Sequence, residues 1–89
     1  MDTPALFSSG TIPAGGTVAT GVGAGSPPFS IQLNSTNASR AISLSMDGGA
    51  HFVTMTPTAT VAGAILLNYN GPIGQVLFAG ASGDTYDIE

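Results

Sequence analysis

Few side chains in this 89-residue sequence can do acid–base, nucleophilic or metal chemistry. There is one histidine, His51, and there is no cysteine and no lysine. The carboxylates are Asp2, Asp47, Asp84, Asp87 and Glu89, and Arg40 is the sole basic side chain. A serine-type triad needs a histidine held between an acid and a hydroxyl nucleophile. No G-x-S-x-G elbow accompanies His51, which reads as a half-buried residue flanking a turn. Asp84, Asp87 and Glu89 crowd the last residues, but a calcium site needs about six oxygens converging on one point. The D-x-D-x-D-G spacing is absent. These acids therefore read as solvent-facing charge, with Asp87 and Glu89 on one strand face. Without cysteine no thiolate zinc site exists. The glycines at 10, 15, 16, 21, 23 and 25 are followed by no Lys-Ser/Thr pair and no helix, so they form no phosphate loop. The expectation is a protein that is not an enzyme, with no catalytic residue, no metal and no cofactor.

Charge excludes further classes. The net charge is −4 and charged residues are 7% of the chain, against roughly 25% in an ordinary domain. Nucleic-acid binding needs clustered Lys and Arg, and an anionic membrane surface needs the same, so neither is expected as a partner. The longest apolar stretch, Val61–Leu67, is far short of the roughly 20 residues of a membrane span. The opening MDTPALFSSG lacks the basic and apolar regions of a signal peptide. Hydrophobic content of 43%, with 13 Gly and 6 Pro, lies outside the disordered range.

The elements that must position these side chains are strands. Helix formers are scarce, and Gly or Pro recurs in almost every block of ten. Period-two alternation places Phe29, Ile31 and Leu33 on one face of 29–34 and Ile42, Leu44 and Met46 on one face of 40–46. Residues 17–22, 64–69 and 85–88 alternate likewise, 4–7 form a possible strand, and 75–79 is apolar on both faces, as a central strand is. Seven or eight short antiparallel strands, with turn signals between them, predict an all-β fold: a small β-sandwich with Greek-key or jelly-roll connections. Its expected core is Phe29, Ile31, Leu33, Ile42, Leu44, Val53, Ile65, Leu67, Val76, Phe78, Tyr86 and Ile88.

The clearest local feature is a hairpin turning at Gly48-Gly49, which supplies the positive φ such turns require. This register pairs Met46 with His51, Leu44 with Val53 and Ile42 with Met55 on one face. Ser45 with Phe52, Ser43 with Thr54 and Ala41 with Thr56 lie on the other. Ser45, Asp47, Gly49 and Phe52 also fit the spacing S-x-D-x-G-x-x-F, which resembles the Asp-box hairpin of sialidases and related propellers. A propeller needs several such blades, so one copy implies a shaped turn built by Ser45, Asp47, Gly48 and Gly49. Thr54, Thr56, Thr58 and Thr60 recur at every second position, but Pro57 interrupts the row. The sequons at Asn34 and Asn37 mark an Asn/Ser-rich loop.

Residues 1–28 are set apart as an N-terminal strand followed by a Gly/Pro-rich segment, and 29–89 as the sandwich core of one domain. The segment from Ser8 to Pro28 reads either as loops around a strand at Val18 or as an arm that orders on a neighbour. Arg40 either pairs with Asp47, Asp84 or Asp87 or anchors an interface, a common role for Arg. Phe7, Arg40 and Phe52 are the candidate interface residues.

Two stretches, RAISLSMDGGAHF from Arg40 and GPIGQVLFAGASGDTYDIE from Gly71, resemble small virion structural proteins of tailed bacteriophages. The later positions are Phe78, Gly80, Gly83, Asp84, Tyr86 and Ile88. The resemblance covers about 50 residues and implies a head decoration or cement protein. Such a protein is made in the host cytoplasm and located in the virion. It binds the major capsid protein or other virion subunits, and a homo-oligomer is expected. The alternative is a carbohydrate-binding or adhesion module of a tail fibre or baseplate, with Phe52 as its exposed aromatic. A lysine-free β protein has few devices against edge-to-edge pairing, which favours the first reading.

Overall fold

The computed structural model describes residues 8–14, 16–21, 28–71 and 73–89. They form nine strands: β1 (Ser8–Thr11), β2 (Thr17–Gly21), β3 (Phe29–Asn34), β4 (Ala41–Ser45), β5 (Val53–Met55), β6 (Ala59–Val61), β7 (Ala64–Tyr69), β8 (Gln75–Ala79) and β9 (Thr85–Ile88). The fold is all-β. One sheet runs β1-β9-β3-β7-β6 and the other β2-β8-β4-β5. All pairings are antiparallel.

The pairing is nested. β1 pairs with β9, β2 with β8, β3 with β7 and β4 with β5, and successive pairs alternate between the two sheets. That is a long antiparallel ribbon rolled up on itself, the jelly-roll arrangement. β6 is an addition at the edge, paired with β7 alone. The short strands β1 and β6 exceed the seven or eight expected from alternation. Three or four small or hydroxyl residues carry too little pattern to be seen. The proposed strand at 4–7 lies outside the described residues.

The inner faces meet in one core of Ile12, Phe29, Ile31, Leu33, Ile42, Leu44, Ile65, Leu67, Ile73, Val76, Phe78, Tyr86 and Ile88. Phe78 and Tyr86 stack across the two sheets with ring centroids 4.6 Å apart. Each fully buried aliphatic or aromatic side chain contributes about 1.5–3 kcal/mol of transfer free energy. β8 lies between β2 and β4, as its two apolar faces predict. Val53 is a correction: it is 64% exposed and not part of the core. Ile12 and Ile73 enter the core from outside the strands. Ile12 is fastened by its N–H donating to the Asp84 carbonyl at 2.7 Å and by its own carbonyl accepting from Gly83 at 3.1 Å.

Outward polar side chains bond to one another. Ser30 donates to Asn68 at 3.3 Å and Gln32 to Asn34 at 2.6 Å. Asn34 donates to Thr85 at 3.0 Å, and the Ser43 and Thr54 hydroxyls lie 3.1 Å apart.

Candidate functional site

The hairpin joining β4 to β5 gathers the only histidine and one of the carboxylates. Its ladder pairs Ile42 with Met55, Ser43 with Thr54 and Leu44 with Val53, the register read from the alternation. The ladder stops there because side chains take over the bonding. The buried Ser45 hydroxyl donates to Asp47 Oδ1 at 2.7 Å and accepts the Gly49 N–H at 3.0 Å. Asp47 Oδ1 also accepts the His51 N–H at 2.9 Å, and Asp47 Oδ2 lies 2.6 Å from His51 Nδ1. Gly48 and Gly49 take φ of 74° and 97°, values that L side chains adopt at a cost. Ser45, Asp47, Gly48 and Gly49 are thus brought together as one turn.

Hydrogen bonds from Ser45, then from the His51 ring and backbone, lower the Asp47 carboxyl to about 2. The order of the three groups decides what they can do. A relay to a nucleophile needs the histidine in the middle. Here the aspartate is in the middle, and the serine hydroxyl is consumed within the turn. The His51 side chain is 86% exposed, which corrects the half-buried expectation, and Asp47 is its side-chain partner among the described residues. The arrangement braces a loop and sets an imidazole on its rim.

Beside this rim lies a groove of about 350 Å³ lined by Leu44, Met46, Asp47, His51, Val53 and Met55, with Tyr69 at its edge. Met46 is 70% exposed. Met46 and Val53 therefore face the groove and not the opposing sheet. Phe52, expected to be exposed on the outer face, is half-buried. Phe7 lies outside the described residues.

Among the described residues Arg40 pairs with none of Asp47, Asp84 or Asp87, the first of the two roles expected for it. Its guanidinium donates to the Ser35 carbonyl at 2.5 Å and to the Val61 carbonyl at 2.9 Å. It thereby ties the β3–β4 connection to the edge strand β6. Asp84 is held within its own turn. Its carboxylate accepts the Ala81 N–H at 2.5 Å, and bonding from Ser35 and then Ala81 lowers its pKa. Sequence reasoning had no signal for Arg40, because its acceptors are backbone carbonyls that every residue possesses. Among the described residues, no three His, Asp or Glu side chains converge as a metal site would require. No family model, curated protein or solved structure matches the chain.

Proposed function

We propose that the chain is a non-enzymatic structural protein of a tailed-bacteriophage virion, a decoration or cement protein that binds the major capsid protein of the assembled head. The observation that carries this reading is the state of the sheet edges. Among the described residues the four edge strands are β1, β6, β2 and β5, and their sequences SSGT, ATV, TVATG and VTM hold no charged residue and no proline. Free-standing β proteins blunt their edges with such residues; edges without them suit a protein whose neighbours cover them. The exposed Met46 and Val53 add apolar contact surface, and the hydroxyl- and amide-rich faces suit wet, hydrogen-bonded contacts. The stretches RAISLSMDGGAHF and GPIGQVLFAGASGDTYDIE, which resemble virion proteins, narrow the assembly to a phage head. Rolled β-sandwiches recur in viral capsid domains and also in lectins, so fold alone does not choose between them. A glycan platform needs an open aromatic face, and Phe52 is half-buried.

The test is to mix the purified chain with undecorated heads and separate particles from free protein on a density gradient. The expected result is saturable co-migration with the particles at a fixed number of copies per capsid subunit. A chain that stays at the top of the gradient while the heads remain intact refutes the reading.

A further inference from the structure

We infer that the cavity around Arg40 receives a carboxylate from a second copy of this chain, supplied by Asp87 or Glu89. The inference concerns the free chain in solution and does not need the capsid reading.

Charge accounting leads to it. Asp2 lies outside the described residues; of the other four carboxylates, Asp47 is occupied by Ser45 and His51, and Asp84 by Ser35 and the Ala81 N–H. Among the described residues Asp87 has a long contact from Asn34 at 3.4 Å, and no ion pair or side-chain hydrogen bond holds Glu89. Both border a shallow cavity of about 380 Å³ with Ser30, Gln32 and Leu66. The single cation of the chain, Arg40, is half-buried in a cavity of about 520 Å³ with Thr36, Asn37, Pro57, Thr60 and Ile65. A guanidinium has five N–H donors in a rigid fork. Two of Arg40's bonds go to the Ser35 and Val61 carbonyls, which fix its position, and among the described residues no carboxylate forms an ion pair with it. Thr36, Asn37 and Thr60 line the same space, residue types that can donate to a carboxylate.

The two charges cannot meet within one molecule. Asp87 is opposite Gln32 on β3 and Glu89 exchanges backbone bonds with Ser30, whereas Arg40 is tied to Ser35 beyond the other end of that strand. At about 3.3 Å per residue the separation along the strand is roughly 10–16 Å. Among the described residues, complementarity between Arg40 and these two carboxylates is therefore available between copies. An apolar strip links the two ends: Ala59, Val61, Ala64 and Leu66 border a cavity shared with Gln32. Val61, whose carbonyl holds Arg40, is 61% exposed. The strip supplies the apolar contact that one ion pair alone cannot replace.

The experiment is sedimentation equilibrium of the free protein up to millimolar concentration, at low and high salt. The wild type is expected to self-associate and to weaken as salt screens the pair. R40Q and the double variant D87N/E89Q should each raise the dissociation constant about tenfold or more. R40E and D87K/E89K should each be monomeric alone and associate when mixed, because the mixture restores opposite charges at every contact. A wild type that stays monomeric throughout overturns the inference, as does association unchanged in D87N/E89Q. Should R40E fail to fold, judged by its amide spectrum, D87N/E89Q decides, since its changes lie on the outer face and keep the acceptor for Asn34. A wild type that stays monomeric in solution yet decorates heads overturns this contact alone, and one that self-associates but leaves heads bare overturns the capsid reading alone.

Discussion

β3 and β5 begin from the same pattern and end in different surroundings. Both alternate, and in both the odd-numbered residues turn toward the inner side of a sheet: Ile31 and Leu33 in one, Val53 and Met55 in the other. Ile31 and Leu33 are 0% exposed, yet Val53 is 64% exposed. β3 lies between β9 and β7 in the middle of its sheet, whereas β5 is three residues at an edge. Val53 borders an open groove with Met46 and His51 instead of the opposing sheet. Alternation assigns a face; burial also needs something to lie against that face.

The comparison can be broken most directly by the same truncation in both strands. Leu33→Ala should cost about 2–5 kcal/mol, since it opens a cavity in a packed interior. Val53→Ala should stay within about 0.5 kcal/mol, as surface substitutions do. Urea unfolding measures both, and equal losses would show that the groove closes over Val53 in solution.

A smaller effect tests why β4 and β5 hold their register despite the thin cover. Ser45→Ala should cost about 1–3 kcal/mol, because the Gly49 N–H loses its acceptor inside a buried turn. Amide exchange should accelerate at Gly49 and His51 while the β3 amides keep their protection.

The smallest effect is the acid response of the same turn. Asp47 is lowered from 3.8 to about 2 by the Ser45 and His51 bonds, so the fold favours its ionised form. The stabilisation is complete above 3.8 and is lost as pH falls through about 2. Hairpin amide shifts followed by NMR should therefore titrate near 2 in the wild type and nearer 3.8 in Ser45→Ala. An Asp47 that titrates normally in both would remove the turn network as the source of the register.

Much of the fold was legible in the residues. The bounds of β3, β7 and β9 follow from alternation between clear turn signals and those of β8 from an apolar run, and eleven of the thirteen buried core residues occupy alternating strand positions. Ile12 and Ile73 did not announce themselves, since they plug the sandwich from loops, where no period applies. β1 and β6 were invisible for want of side chains with a preference. The hairpin site was readable because Ser45, Asp47, Gly48 and Gly49 carry local turn chemistry at short spacing. The Arg40 cavity was not, because it is assembled from three separate segments and its anchors are main-chain oxygens.

The nested pairing also orders events in time. β9 is the last of the nine strands in the chain, yet it sits between β1 and β3. During synthesis β1 therefore waits for its partner until the seven strands between them have been made. Separations that long make closure slow, and a product cut short before Thr85 would leave the five-stranded sheet without its second strand. Closure of this sheet is therefore conditional on β9, the strand that β1 pairs with.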